Sequence, residues 1–451
     1  MTRQLNVCLK QLTNHSDLTI ETVTQAFRHQ LGLLQTEKVT LTLSDESASH
    51  YQVVLTMLPP DKELPLDGFQ ISAKEAVCQI ETTSVAGLFY ALQEMTHFLV
   101  EGKLTGQQLS YHPKMRERGV MLDMGRKFYS FRWIEQLIKQ MARLRMNVLQ
   151  LHFSENEGFR IESSTYPDIV SPDHLTKREV QDLIRLANAH YIEIIPELDS
   201  PGHLKRFLTV FPEWRLERSG AYDPYVDHRA LDITQPDAKE AFKRLLLEYF
   251  DLFKDCRYFH LGADEFVDFD QLSAYPTLLA AAKEQYGAEA TGIELYLDYV
   301  NDLIDYTLSH GFQPRVWNDG FYRKNQPELV ELSKEATVTY WTRWNPSMAS
   351  TAEFIQRGHK VINFNDNFFY FVLGEAAGYR YPTADKIRDN WAVNMFPEQQ
   401  CLSEEQMTAV SGAYFAIWSD RPDALTETEV CEKMTGPLEA MNEKMWQIVR
   451  H

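Results

Sequence analysis

From Arg118 to the end of the chain, short apolar runs alternate with amphipathic helical stretches, and this alternation constrains the fold more than any other feature. The runs GVMLDM, NVLQLHF, IEIIPEL, YFHLG, PRVWN, TVTYW, KVINFN and GAYFAIW read as strands near positions 119, 148, 193, 258, 314, 338, 361 and 413. Helical patterns such as FRWIEQLIKQMARLR, LTKREVQDLIRLANAH, DAKEAFKRLLLEYFDLF and IELYLDYVNDLIDYTLSH separate them. Repeated strand–helix units of this number predict an α/β protein with a closed parallel (β/α)8 barrel rather than an open doubly wound sheet. No GxGxxG or GxxxxGKS pattern occurs, so a nucleotide-binding fold has no support.

Residues 1–113 carry a different rhythm. LNVCL, an amphipathic stretch near Leu18 to Leu34, the β-rich runs VTLTLS, YQVVLTM, FQISA and AVCQIETT, and a helix opening at Ser84 predict a small α/β sandwich. The segment LSYHPKMRERG, with Pro113 and a charged cluster, reads as the passage into the second domain, 114–451.

Composition narrows the partners. A formal charge of −19 repels nucleic-acid backbones and anionic membrane surfaces, whereas a neutral sugar meets no such penalty. No run approaches the roughly eighteen apolar residues needed to span a bilayer, and MTRQLNVCLKQL lacks the apolar core of a signal peptide, so cytoplasmic residence is the expectation. Cys8, Cys78, Cys256, Cys401 and Cys431 are odd in number and form no CxxC pair, which fits reduced, structural thiols.

In barrels of this kind the working residues sit at the C-terminal strand ends. Here those ends carry Asp123 and Arg126; His152, Glu155 and Asn156; Glu197, Asp199 and His203; His260, Asp264 and Glu265; Trp317 with Asn318 and Asp319; Trp341; Asn363 and Asn365; and Trp418, Ser419 and Asp420. Two features stand out, an acidic pair at one end and tryptophans at three others. Glycosidic cleavage needs a protonated carboxyl for the leaving oxygen and a second group to stabilise positive charge at the anomeric carbon. Aromatic walls suit the apolar C–H faces of sugars. The combination points to a carbohydrate.

The blocks RGVMLDMGR, LHFSENEGFR, IPELDSPGH, HLGADE and the closing Trp-Ser-Asp resemble glycoside hydrolase family 20, the β-N-acetylhexosaminidases, over essentially the whole chain. The resemblance implies an exo-acting, retaining, substrate-assisted enzyme for glycans ending in N-acetylhexosamine, with no cofactor or metal. It implies Glu265 as general acid and base, and Asp264 as the residue that orients the acetamido group and stabilises an oxazolinium ion. It further implies Arg126 and Asp420 on the sugar hydroxyls, Trp317, Trp341 and Trp418 around the N-acetyl methyl, and Tyr370 donating to the acetamido oxygen. His203 would act behind the acid.

The chain departs from the family in two places, which suggests a divergent subgroup. Asn156 stands where the family has the acid that pairs with the histidine. The usual Tyr-Leu-Asp reads Tyr370-Phe371-Val372, leaving Asp366 or Asn365 as substitutes for the missing aspartate.

Other readings of these residues stay open. His203 suits a helix cap near Leu204, and His152 a core position. Trp133 reads as core, and Trp214, Trp344 and Trp391 as either core or outer subsite. A metal-dependent barrel hydrolase built on His152, Glu197, Asp199, His203, His260 and Asp264, and an N-acetylhexosamine-binding protein without turnover, are the alternatives. No HxH or HExxH spacing supports the metal.

Overall fold

The computed structural model describes residues 3–34, 39–43, 49–220 and 228–451. The chain divides into two units, Met1–Arg116 together with Asn442–His451, and Glu117–Met441.

The first unit is a mixed sheet of β1 (Arg3–Asn14), β2 (Val39–Leu43), β3 (Tyr51–Met57), β4 (Phe69–Lys74), β5 (Val77–Thr82) and β6 (Gln108–Pro113), joined by the last strand of the chain, Trp446–Arg450. The spatial order is Trp446–Arg450, β6, β4, β5, β3, β1, β2. Helices Ile20–Leu33 and Val85–Glu101 start where Thr19 and Ser84 accept hydrogen bonds from backbone N–H groups of their first turns. Alternation decides the buried face: Val53, Leu55 and Met57 of β3 are buried while the residues between them are not.

Two strands here differ from the sequence reading. LSYHP, expected to be a connection, is β6; Pro113 is tolerated because it is the strand's last residue. The closing WQIVR, expected to belong with the barrel, pairs antiparallel with β6 from Trp446 opposite Pro113 to Arg450 opposite Leu109. Trp446 alone in that strand is buried, so the alternation that would have announced it is weak.

The second unit contains the barrel: β7 (Glu117–Asp123), β8 (Val148–His152), β9 (Glu193–Ser200), β10 (Tyr258–Gly262), β11 (Gln313–Trp317), β12 (Thr337–Tyr340) and β13 (Val361–Asn363). A short β14 (Tyr370–Val372), a small hairpin of β15 (Met395–Phe396) and β16 (Gln400–Cys401), and β17 (Val410–Trp418) follow. Neighbouring strands from β7 to β13 pair in parallel, and β17 closes the ring by pairing with both β13 and β7. The strands expected from the sequence are the strands of the barrel.

β14 is the addition. The lower half of β17 pairs with β13, and its upper half, Ala416 to Trp418, with Tyr370 to Val372. Tyr370 is thereby placed on the barrel wall beside Trp418.

The barrel interior is layered. At the base Arg315, fully buried, contacts Glu117 at 3.0 Å and donates to the Tyr414 hydroxyl at 2.7 Å. Met121, Ile195, Ile362, Phe364 and Ala416 fill part of the middle. Above them Glu197 meets His152 at 3.1 Å and His260 at 3.2 Å, and accepts from Trp317 Nε1 and Gln150 Nε2, each at 2.7 Å. Buried charges are tolerated when paired in this way. Among the described residues no helix is long and apolar enough to cross a membrane.

Candidate active site

At the C-terminal ends of the strands a pocket of about 420 Å³ opens, lined among others by Arg126, Asp264, Glu265, Trp341, Tyr370 and Trp418. The backbone that delivers the acidic pair is unusual. After β10 the chain passes through left-handed conformations at Gly262, Ala263 and Glu265, with φ of 71°, 74° and 43°. Gly262 is required there because a Cβ would stand 1.8 Å from Asp199 Oδ1. The turn is pinned from both sides: Ala263 N donates to Asp199 Oδ1 at 3.1 Å, and Glu265 N donates to Asp319 Oδ2 at 3.0 Å.

The two acids meet different surroundings. Asp264 is buried, whereas the Glu265 side chain is 37% exposed. Burial alone would raise the Asp264 carboxyl, yet the charge and hydrogen bond of His203, with a hydrogen bond from Asp199, hold it well below the ordinary carboxylate range. Asp199 takes the opposite share: burial and the Asp264 charge push its carboxyl well up. One oxygen of Asp264, Oδ1, is buried with no hydrogen-bond partner.

His203 lies among carboxylates. Its Nε2 is 3.4 Å from Asp264 and 3.5 Å from Glu265, and its Nδ1 contacts Glu155. Burial disfavours the imidazolium, but Glu155, Asp264 and Asp199 outweigh it and hold the ring's pKa well above its ordinary value. The residue opposite His203 is therefore Glu155. Asn156, expected at that place, instead accepts from Lys205 N at 3.3 Å. The short helix Lys205–Val210 takes no cap from His203, since no side chain caps its first turn.

Arg126 is held by Asp123 Oδ2 at 3.0 Å and Glu155 Oε1 at 2.6 Å, and its guanidinium lies 5.4 Å from the Trp418 ring centre. Burial works against its charge, and Glu155, Asp123 and Asp420 more than restore it. Glu155 thus serves two cations. Burial would raise it, but Arg126 and His203 bring it down to about 2. Asp420 is on the pocket wall and more exposed, its pKa raised by burial against the pull of Arg126.

The aromatic wall is continuous. Trp341 and Tyr370 stack with ring centres 5.7 Å apart, Tyr370 lies 5.8 Å from Trp418, and Trp418 lies 6.1 Å from Trp317. Trp317 forms the floor at 1% exposure. Of the open assignments, Trp133 and Trp391 are buried core residues, while Trp344 is 57% exposed, lines the pocket and packs against Trp341 at 5.2 Å. Of the two candidates for the missing aspartate, Asn365 is spent on Asn367 N and the Met395 carbonyl. Asp366 reaches the pocket, accepting from Thr342 and Tyr379 through Oδ2 while its buried Oδ1 has no partner. Burial pushes Asp366 up to about 6.

Several site residues had no role in the sequence expectation. Asp319 accepts from Glu265 N and from Trp341 Nε1 at 3.1 Å, and burial with the charges of Asp264 and Glu265 raises it to about 7. Its place at the end of β11 was visible in the sequence, but its partners were not. Arg229, Tyr379 and Thr342 also line the pocket, and no strand-end pattern marks them.

Among the described residues Asp199, His203 and Asp264 bring possible metal-ligand atoms within 4.8 Å of one another. A metal requires deprotonated ligands. Here burial and the Asp264 charge push Asp199 up, and Glu155, Asp264 and Asp199 raise His203, so the three groups are bound to one another by their charges.

Residues 116–448 match the catalytic domain of Glycosyl hydrolase family 20. The chain is 28% identical over 406 residues to lacto-N-biosidase of Bifidobacterium bifidum, covering 89% of this chain and 35% of that protein. It is 27% identical over 331 residues to beta-hexosaminidase subunit A1 of Dictyostelium discoideum, covering 70% of this chain and 59% of that one. The chain thus spans about a third to three-fifths of the length of these curated relatives. The exo beta-N-acetylglucosaminidase of Vibrio harveyi, solved with N-acetylglucosamine, shares the fold with a TM-score of 0.73 at 19% identity, over 97% of this chain and 70% of that one. Every barrel strand and every pocket residue named above falls inside the matched catalytic domain, and the chain belongs to glycosyl hydrolase family 20.

Proposed function

We propose that this protein is an exo-β-N-acetylhexosaminidase that removes a terminal, non-reducing β-linked N-acetylglucosamine or N-acetylgalactosamine with retention. The acetamido oxygen of the substrate is the nucleophile. The observation that carries this reading is the unpaired, buried Oδ1 of an ionised Asp264 next to a half-exposed Glu265. A buried carboxylate oxygen without a donor is costly, and an acetamido N–H supplies that donor.

Adjacent residues on one turn are badly placed to stand on opposite faces of a sugar about 5 Å apart, as an acid and an enzymic nucleophile do in most retaining glycosidases. This family is a recognised exception to that arrangement. Asp264 orients the acetamido group and stabilises the oxazolinium ion, while Glu265 protonates the leaving oxygen and then activates water. Tyr370, whose hydroxyl burial keeps protonated, donates to the acetamido oxygen. Trp317, Trp341 and Trp418 enclose the methyl group, with Arg126 and Asp420 on the ring hydroxyls. His203, backed by Glu155, holds Asp264 ionised. Cytoplasmic residence belongs to the same reading; it is supported by the free thiols of Cys8, Cys78, Cys256, Cys401 and Cys431, and cell fractionation checks it.

The test is release of p-nitrophenol from the β-N-acetylglucosaminide beside the plain β-glucoside. Cleavage of the acetamido sugar alone, blocked by a thiazoline mimic of the cyclised intermediate and unaffected by chelator, is the expected result. E265Q and D264N each lower kcat by about 10² to 10⁴. Activity near wild type in either variant removes that residue from its role. On glycans, product analysis separates release of one N-acetylhexosamine from release of a disaccharide.

A further inference from the structure

Arg229 has no part in the chemistry described so far, yet it lines the pocket with only 14% of its side chain exposed. Among the described residues its side chain has one ionic partner, Glu265 Oε2, at 3.4 Å from Nη1. Its Nε is buried with no hydrogen-bond partner. The neighbouring carboxyls are committed elsewhere: Asp264 to His203 and Asp199, and Asp319 to Glu265 N and Trp341 Nε1.

This arrangement is unbalanced at the moment it has to work. A general acid carries its proton when the substrate binds, and a protonated Glu265 is neutral. Among the described residues Arg229 is then a largely buried guanidinium whose ionic partner has lost its charge, a state that favours an anion within reach. The acid's oxygen must come within about 3 Å of the glycosidic oxygen. Arg229 Nη1 lies 3.4 Å from Oε2, one of the two oxygens of that carboxyl, so a sugar on the leaving side of the bond comes within reach of the guanidinium. Trp344, 57% exposed, also lines this pocket and offers a sugar an apolar platform.

We propose that the leaving-group side of the pocket is an acidic-sugar subsite, in which Arg229 pairs with a carboxylate borne by the residue that the terminal N-acetylhexosamine is attached to. This rests on the reading of Glu265 as the acid. The planar fork of arginine fits a carboxylate in two-pronged fashion, which a neutral sugar hydroxyl does not match. The chain's net charge of −19 opposes an anion at a distance, but that field is screened over about 8 Å at physiological salt, and the contact with Arg229 is direct. The carboxylate belongs either to a uronic acid or to a lactyl ether on an amino sugar.

Three disaccharides with the same β-linked terminal N-acetylglucosamine separate these cases: one on N-acetylglucosamine, one on a uronic acid and one on a lactyl-bearing amino sugar. For at least one acidic substrate kcat/KM exceeds that of the neutral one by about tenfold in the wild type, and the ratio falls to near unity in R229Q while R229K keeps part of it. The acidic substrate that gains identifies the source of the carboxylate. An equal ratio in wild type and R229Q, or wild-type preference for the neutral disaccharide, overturns the proposal and leaves the hexosaminidase reading standing. If R229Q does not fold, the wild-type comparison decides alone. Absence of any turnover of the p-nitrophenyl β-N-acetylglucosaminide, with no thiazoline binding, overturns the underlying reading and this proposal with it.

Discussion

Glu155 joins two parts of the site, because its carboxylate contacts both Arg126 and His203. Its pKa is brought from 4.5 down to about 2, so folding favours the ionised form. That contribution is fully present above about pH 4.5 and is lost as the pH falls through about 2. E155Q should therefore cost about 3–5 kcal/mol at pH 7, since it leaves two buried cations underpaired. Denaturant melts at pH 7 and pH 3 check this: the gap between wild type and variant narrows at the lower pH, and a gap that stays constant refutes the assignment. At this scale the sequence was partly legible. HLGADE marked Asp264 and Glu265 because a strand end must expose its polar residues to the barrel mouth. The exchange of Asn156 for Glu155 as the partner of His203 was not legible, because adjacent residues in a loop point in different directions that only the folded backbone settles.

At the scale of elements, the turn after β10 is the device that presents the acids. It holds Gly262, Ala263 and Glu265 at positive φ, and Gly262 packs where no side chain fits beside Asp199. G262A should both strain the backbone and displace Asp199, which with His203 holds the Asp264 carboxyl below its ordinary range. The expected outcome is a loss of kcat of at least tenfold together with a lower melting temperature; a variant matching the wild type in both would show that the turn has no such constraint. The eight strands were readable from apolar runs, but β14 was not. It is three residues long, too short for any period to register, and exists because the upper half of β17 has a vacant edge beside β13.

At the scale of the whole molecule, the last strand of the chain completes the sheet of the first unit. Trp446 is buried there, 6.2 Å from the Phe69 ring and 6.0 Å from the Tyr90 ring. W446A should cost about 3–5 kcal/mol in that unit. Hydrogen exchange of the full chain reads it out as lost protection in β6 and β4; unchanged protection there would mean that the strand contributes little. A boundary drawn from sequence at residue 113 assigned this strand to the barrel, because linear order says nothing about which sheet edge a terminal strand meets.

What the sequence determined by itself was the periodicity of the chain, hence a (β/α)8 barrel after a smaller α/β unit, and the collection of acids and tryptophans at its strand ends. These follow from local rules, since backbone geometry sets the period and solvent sets which ends are polar. The tertiary structure alone decided the pairing and its electrostatic consequences: Asp199 pushed up beside an Asp264 held down, Glu155 opposite His203, Asp319 accepting from Glu265 N, and Arg229 within 3.4 Å of Glu265. Electrostatic interaction depends on distance through space and on exclusion of water, and both come into being when strands far apart in sequence close into one ring.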